Sequence, residues 1–424
     1  MPILSVIVPT HNRSHYALPT IEALLRLSDE IEIVVSDTSP EDRISPRLPE
    51  FEGVERVRYT RPPTDISVVD NFNIALGAAS GDYVIFIGDD DLVSSHAVSL
   101  AYWAKSRQVD SLCFSFPISY YWPDFKHQLR GDFYSASVRA ASFAGTIAPL
   151  DAASSLRAAA AQLGVGVLDM PRAYAGMMSM ALARRIADKY GALFGGVSPD
   201  IYSAALIAFE STNCQRADFP IVIPGNSGAS TAGQSANGGH RGKLRDNAHI
   251  GAFRDLVWDD RIPEFYSVPT VWSFSLVKAL EKLDKVSLAN FGRLYIRCLV
   301  FQRTYRSETL AAIRAHARSR GRLRTAVALA KGALSEGLWI VHKIYSMTRV
   351  TMSGRSESGL QNIDTTGEAS RRIEDLLRDH PSTTAFNALI ALPEEAKRQL
   401  RSTAQERLVE SDRAPELAKP LANI

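Results

Sequence analysis

Residues 83–93 read YVIFIGDDDLV, and this stretch sets the class of the fold. Tyr83 to Ile87 has no polar face, the pattern of a strand covered on both sides as in a parallel sheet under helices. Gly88 ends the run, and Asp89, Asp90 and Asp91 follow in succession. Three carboxylates crowded at a strand's carboxyl end repel one another unless a cation or a ligand neutralises them. In open α/β sheets that end of a strand is where ligands bind. Hard divalent ions take oxygen ligands, commonly one or two carboxylates plus substrate phosphates, so the triplet suits a metal–diphosphate complex. The competing reading is a solvated acidic turn capping a helix that starts near Ser95.

Working outward, short apolar runs at 3–9, 31–36 and 54–60 read as strands, and 15–27 and 68–79 carry helical spacing. Gly81 supplies a left-handed stop before the strand at Tyr83. A helix over 95–107 and a strand over 110–117 follow. This alternation predicts a mostly parallel sheet with crossover helices. The first strand ends in PTHNR and the second in SDTSP, which places polar groups at the same sheet edge as the aspartates. Asp37 there can accept from a nucleobase N–H or simply initiate a turn. Asn71 and Asn73 fall in the first turns of the 68–79 helix, where N-terminal capping is the plain use. Residues 120–195 give a mixed pattern. A helix near 200–211 and a strand near 217–223 precede PGNSGASTAGQSANGGHRGK (224–243), a loop long enough to be functional or mobile.

Together IVPTHNR, VVSDTSP, the helix from Asn71 to Gly81 and the Asp-x-Asp-type motif Asp89–Asp91 resemble the inverting glycosyltransferases of family 2, which have the GT-A fold. The resemblance is close over 3–115 and looser to about 225. It implies that Pro9, Thr10, Asn12, Arg13, Asp37, Asn71, Asp89 and Asp90 bind the nucleotide-sugar, a UDP-sugar foremost. It implies a divalent metal, Mn²⁺ or Mg²⁺, at Asp89 and Asp91. Members often carry an acid where this chain has Gly88, so which two of the three aspartates act stays open. Inverting transfer also needs a base opposite the leaving diphosphate. By resemblance that base is an acid at a helix start, here Asp200 in GGVSPDIYSAALIAFE; Asp188 and Glu210 are the reserves. A first-turn Asp favoured by the helix dipole is the alternative. His240, flanked by glycine and followed by Arg241 and Lys243, can close over the diphosphate as a further metal ligand. A plain surface histidine is the simpler reading.

Composition limits the other classes. Lys plus Arg (48) nearly balance Asp plus Glu (46), which argues against nucleic acid as a partner. PTHNRSH stands where a dehydrogenase would show G-x-G-x-x-G, and no P-loop or nucleotidyltransferase glycine loop occurs. A catalytically degenerate GT-A scaffold or nucleotide-sugar-binding protein remains the alternative. Cys113, Cys214 and Cys298 are widely spaced and odd in number, as expected of buried thiols in a reducing, cytoplasmic setting. No uncharged apolar run is long enough to span a bilayer, and the N-terminus does not read as a signal peptide.

The expected division is a GT-A domain over 1–230, a flexible loop over 231–250, a helical basic region over 251–352, and a linker with a polar helical tail over 353–424. Between Arg293 and Lys331 ten Lys/Arg face one acid, Glu308. Val327, Ala330, Leu334, Leu338, Val341 and Tyr345 then recur at amphipathic spacing. This apolar stripe either packs on the protein's own core or rests on the anionic inner face of the membrane beside a lipid-linked saccharide acceptor.

Overall fold

The computed structural model describes residues 2–128, 130–230, 241–253, 255–353 and 358–401. Its N-terminal half runs β1 (Leu4–Thr10), α1 (Ser14–Leu27), β2 (Ile31–Asp37), β3 (Val57–Thr60), α2 (Val68–Ala78), β4 (Tyr83–Phe86), β5 (Leu92–Val93), α3 (His96–Ser106) and β6 (Ser111–Phe114). There follow β7 (Ile118–Tyr121), β8 (Ser137–Ala140), β9 (Thr146–Pro149), α4 (Ala152–Ala161), β10 (Met177–Ser179), α5 (Met180–Tyr190), α6 (Pro199–Glu210), β11 (Cys214–Asp218), β12 (Val222–Ile223) and β13 (Gly225–Asn226). The main sheet has the order β3-β2-β1-β4-β10-β6-β11-β9. β1 pairs in parallel with β2 and β4, β2 with β3, and β6 with β11, whereas β10 and the edge strand β9 run antiparallel.

β1 shows why its residues are apolar throughout. Val6 and Val8 enter the core under α1 and α3, while Ile7 enters the opposite core with Phe72 of α2. A strand buried on both faces cannot alternate polar and apolar residues. The α/β class with a mostly parallel sheet and a helical C-terminal region is the one expected. α2 differs in detail: Ser67 caps it, accepting from the Asp70 N–H at 3.2 Å while the Asp70 carboxylate accepts from the Ser67 N–H. Neither Asn71 nor Asn73 is the cap. The strand expected near 217–223 is two strands, because β11 belongs to the main sheet whereas β12 pairs with β5.

The second half contains β14 (Arg241–Gly242), α7 (Ala248–Gly251), β15 (Tyr266–Ser267), α8 (Val268–Lys282), α9 (Phe291–Phe301), α10 (Arg306–Arg320), α11 (Arg322–Ser353), β16 (Ser358–Leu360), α12 (Thr366–Asp379) and α13 (Pro381–Ile390). The stretch that reads as a linker and loose polar helices instead returns to the sheet domain. β16 pairs antiparallel with β8, and Ile373, Leu377, Phe386 and Ile390 are buried in the same core as Val6 and Val8. Phe386 stacks on Phe219 with centroids 4.0 Å apart. These apolar residues are too sparse to mark a core in sequence, yet their helical spacing gives each of the two helices a buried stripe.

α11 is helical as expected, and of the two faces it could turn outward it turns the apolar one. Glu336 is buried, accepting from Arg293 Nε and Arg297 Nη1, each at 2.9 Å. Gly332 meets the Gly292 backbone of α9 so closely that an added Cβ would lie 2.3 Å from it. The polar, small-residue face of α11 is therefore packed, and Leu334, Leu338, Val341 and Tyr345 face outward at 62–67% exposure. Packing of this stripe on the chain's own core does not occur among the described residues. Arg293 and Arg297, two of the ten cations, are used internally.

Candidate active site

The carboxyl ends of β1, β2 and β4 meet at one edge. Thr10 is registered on Asp37, and Ile7 on Phe86, so Thr10 reaches the turn that follows β4. Its Oγ1 donates to Asp89 Oδ2 at 2.6 Å. Arg13, just before α1, sets Nη1 3.2 Å from Asp89 Oδ1 and Nη2 2.9 Å from Asp90 Oδ2. Nη2 also donates to Ser227 Oγ at 3.0 Å, and Ser227 Oγ donates to Asp90 Oδ2 at 2.6 Å. Arg13 is the cation found among three buried carboxylates. Asp89 Oδ1 lies near it without an aligned hydrogen bond and is left unsatisfied.

Asp91 is used differently. Its Oδ2 accepts from the Gly88 N–H at 2.7 Å, its Oδ1 from the Gly225 N–H at 2.8 Å, and Tyr174 OH stands 3.4 Å from Oδ2. This explains the missing acid at position 88. A Cβ on Gly88 would lie 2.9 Å from both Asp90 Oδ1 and the Tyr174 hydroxyl oxygen, so a side chain there would have to displace both groups. Gly225 is equally constrained, since a Cβ there would lie 1.7 Å from the Asp90 carbonyl oxygen. Trp122 Nε1 donates to that same oxygen at 3.0 Å.

Burial pushes the Asp89 carboxyl up to about 7, with Asp90 adding repulsion against the pull of Arg13. Burial and then Asp90 raise Asp91 as well. The Tyr174 phenol is pushed well up by burial and then by Asp91, Asp90, Asp89 and Asp200, so it stays protonated. Asp200 sits in the first turn of α6, behind Pro199, and its Oδ1 accepts from Ser198 Oγ at 2.7 Å. The loop leading to it is anchored by Ser275 of α8, whose Oγ accepts from the Val197 and Ser198 N–H groups at 3.1 and 2.8 Å. Glu210 lies at the far end of α6, paired with Lys189 at 2.7 Å, and Asp188 is exposed on α5.

Residues 5–142 match the family model described as Glycosyl transferase family 2. That stretch is similar to members of this family and carries Thr10, Arg13 and the aspartate triplet. Among solved structures, the crystal structure of S. aureus TarS 1-349 in complex with UDP-GlcNAc is similar at 15% identity and a TM-score of 0.48, covering 78% of this chain and 88% of that one. TarS 1-349 in complex with UDP is similar at 14% identity and a TM-score of 0.40, covering 76% and 92%. No match was found among curated proteins.

Within residues 5–142, the structure brings Thr10, Arg13, Asp89 and Asp90 into mutual contact, with Asp91 behind them. Pro9 is partly exposed on β1, one residue before Thr10. Asn12 has φ +57°, a left-handed conformation that Asn tolerates, and its N–H donates to Ser39 Oγ at 2.7 Å. Asp37 is buried, accepting from the Ser39 N–H at 2.8 Å and from Tyr59 OH at 3.0 Å. Asn71 uses its Oδ1 to accept from Ser36 Oγ at 2.6 Å and its Nδ2 to donate to the Ser36 carbonyl at 3.3 Å, so it ties α2 to β2. His240 lies outside the described residues. Tyr16, Trp122, Asp124, Tyr174, Gly225 and Ser227 also line the site and were not singled out from sequence. Tyr16 OH donates to Asp124, and burial holds the phenol up at about 12. Only Gly225, set between Pro224 and a polar run, carried a sequence signal.

The residues fit a divalent ion by charge and donor type. Asp89 Oδ1 is a buried carboxylate oxygen without a hydrogen bond, and the Arg13 guanidinium pairs with two of the three carboxylates, Asp89 and Asp90. Among the described residues no three His, Cys, Asp or Glu side chains are grouped to hold an ion by themselves. A site completed by substrate phosphates and water needs only one or two protein carboxylates.

Proposed function

We propose that the chain is a metal-dependent, inverting hexosyltransferase that passes a sugar from a nucleotide-sugar, a UDP-sugar foremost, to an acceptor hydroxyl in surface polysaccharide or glycolipid synthesis. The observation that carries this reading is the segment similar to family 2, in which Thr10, Arg13 and the aspartate triplet meet in one cluster. Asp37, Pro9 and Asn12 stand beside it as the nucleoside wall. A divalent ion at Asp89, with Asp91 behind it, would neutralise the leaving diphosphate. Thr10 and Arg13 fix the Asp89 carboxylate before any ligand arrives, so little reorganisation is left for the reaction. Asp200, whose Oδ1 accepts from Ser198 Oγ, takes the acceptor's proton in this reading. The acceptor oxygen then bonds to the anomeric carbon as that carbon's bond to the diphosphate oxygen breaks, in one in-line displacement.

Asp200→Asn is expected to lower kcat by at least about 100-fold while donor binding is kept, because a base contributes to the transition state and not to nucleotide affinity. Thermal stabilisation by a panel of UDP-, GDP- and TDP-sugars with and without Mn²⁺ reads donor and metal together. Full transfer in EDTA would exclude the metal, and a product that retains the donor's anomeric configuration would exclude the single displacement.

A further inference from the structure

Among the described residues, the apolar stripe of α11 is a large exposed hydrophobic surface. Leu323, Val327, Ala330, Leu334, Leu338, Val341 and Tyr345 step by 4, 3, 4, 4, 3 and 4 residues. That repeat averages close to the helical period, so the stripe runs straight along the axis without winding round it. At about 1.5 Å per residue it extends roughly 33 Å. Leu323 is 80% exposed, Val327 46%, and the four large residues from Leu334 on exceed 60%. The opposite face, through Ala328, Gly332 and Glu336, is closed against α9.

Charge selects the occupant. Arg322, Arg324 and Lys331 are exposed on α11, and Arg314, Arg318 and Arg320 on α10 just before it. The lone acid of α11, Glu336, is buried between Arg293 and Arg297. A second copy of the chain would bring these exposed cations against their own kind. An anionic lipid surface would meet both the apolar stripe and the cations beside it. Among the described residues no helix is long and apolar enough to cross a membrane, so α11 would lie on it.

We propose that α11 docks the protein on an anionic lipid surface, with the stripe from Leu323 to Tyr345 set in the headgroup boundary and the cations of α10 and α11 on the phosphates. This goes beyond the sugar-transfer reading and does not depend on it. The test is co-sedimentation of the full chain with vesicles of phosphatidylcholine alone or mixed with phosphatidylglycerol, at low and moderate salt. Binding is expected to the mixed vesicles and to weaken with salt. Leu334→Glu combined with Leu338→Glu is expected to weaken it by about 100-fold, near ten-fold for each leucine kept from the lipid. Both side chains are exposed, so an unchanged melting temperature serves as the control for folding. No binding to mixed vesicles, or binding indifferent to the double variant, overturns the proposal. A chain that sediments as an oligomer, becomes monomeric in the double variant and ignores vesicles overturns it in favour of self-association.

Discussion

At the residue scale, the site stores unfavourable charge before any ligand binds. Asp89 is buried with an unsatisfied oxygen, and its folded-state value of about 7 stands above the ordinary 3.8. A carboxyl raised on folding contributes stability below its unfolded value, and that contribution is lost as pH rises through the folded value. The metal-free protein therefore loses stability from this group between about pH 4 and pH 7. Asp89→Asn removes the titration. The expected outcome, read by thermal melting without metal or nucleotide, is a variant that gains on the wild type as pH rises and is most favoured at pH 8. A difference independent of pH would show that the carboxylate is not held against its preference. Strain of this kind at a ligand edge is a common trade of stability for function.

At the element scale, two glycines with the same helical role have opposite prospects. Gly77 lies exposed in α2, with nothing within 4 Å of an added Cβ. Gly77→Ala is expected to stabilise by about 0.5–1 kcal/mol through helix propensity alone. Gly332→Ala gains the same propensity but places its Cβ 2.3 Å from the Gly292 carbonyl carbon. Backbone cannot yield as a side chain can, so α9 and α11 must separate, stretching the pairs of Glu336 with Arg293 and Arg297. Urea denaturation should show Gly77→Ala more stable than the wild type and Gly332→Ala less stable. If Gly332→Ala is neutral, the close crossing of α9 and α11 is not needed to hold the buried charges.

At the scale of the whole molecule, the segment after residue 357 completes the N-terminal domain. Phe386 has no exposed surface, and the ring of Phe219 stacks on it within 5° of parallel. Arg401 pairs with Glu30 at 2.7 Å, returning the chain to the turn before β2. Phe386→Ala is expected to cost about 3–5 kcal/mol, the range for a large buried aromatic side chain. The loss should appear in the same unfolding transition as the sheet domain. A separate, earlier transition that spares the sheet would mean that the C-terminal helices form an independent unit.

The sequence alone determined the parts governed by local pattern. Val6, Ile7 and Val8 are all apolar because β1 is covered on both faces, and the Gly88–Asp91 turn follows β4 because apolar character stops at Ile87. Thr10, Arg13, Asp37 and the triplet could be placed at one edge because parallel strands carry their carboxyl ends to the same side. Tertiary structure alone decided how each carboxylate is used. Asp89 keeps one oxygen without a hydrogen bond, paired only by charge with Arg13, while Asp91 accepts two backbone N–H groups, one from Gly225, which lies 134 residues away in sequence. No local pattern encodes such a contact. Tyr174, Trp122 and Ser227 were illegible for the same reason, since an aromatic or serine outside a motif looks alike in a core and in a site. The fate of α11 was equally hidden. Periodicity showed that one face is apolar, but which face is covered depended on a glycine pair and two arginines on α9, because burial belongs to the partner surface as much as to the helix.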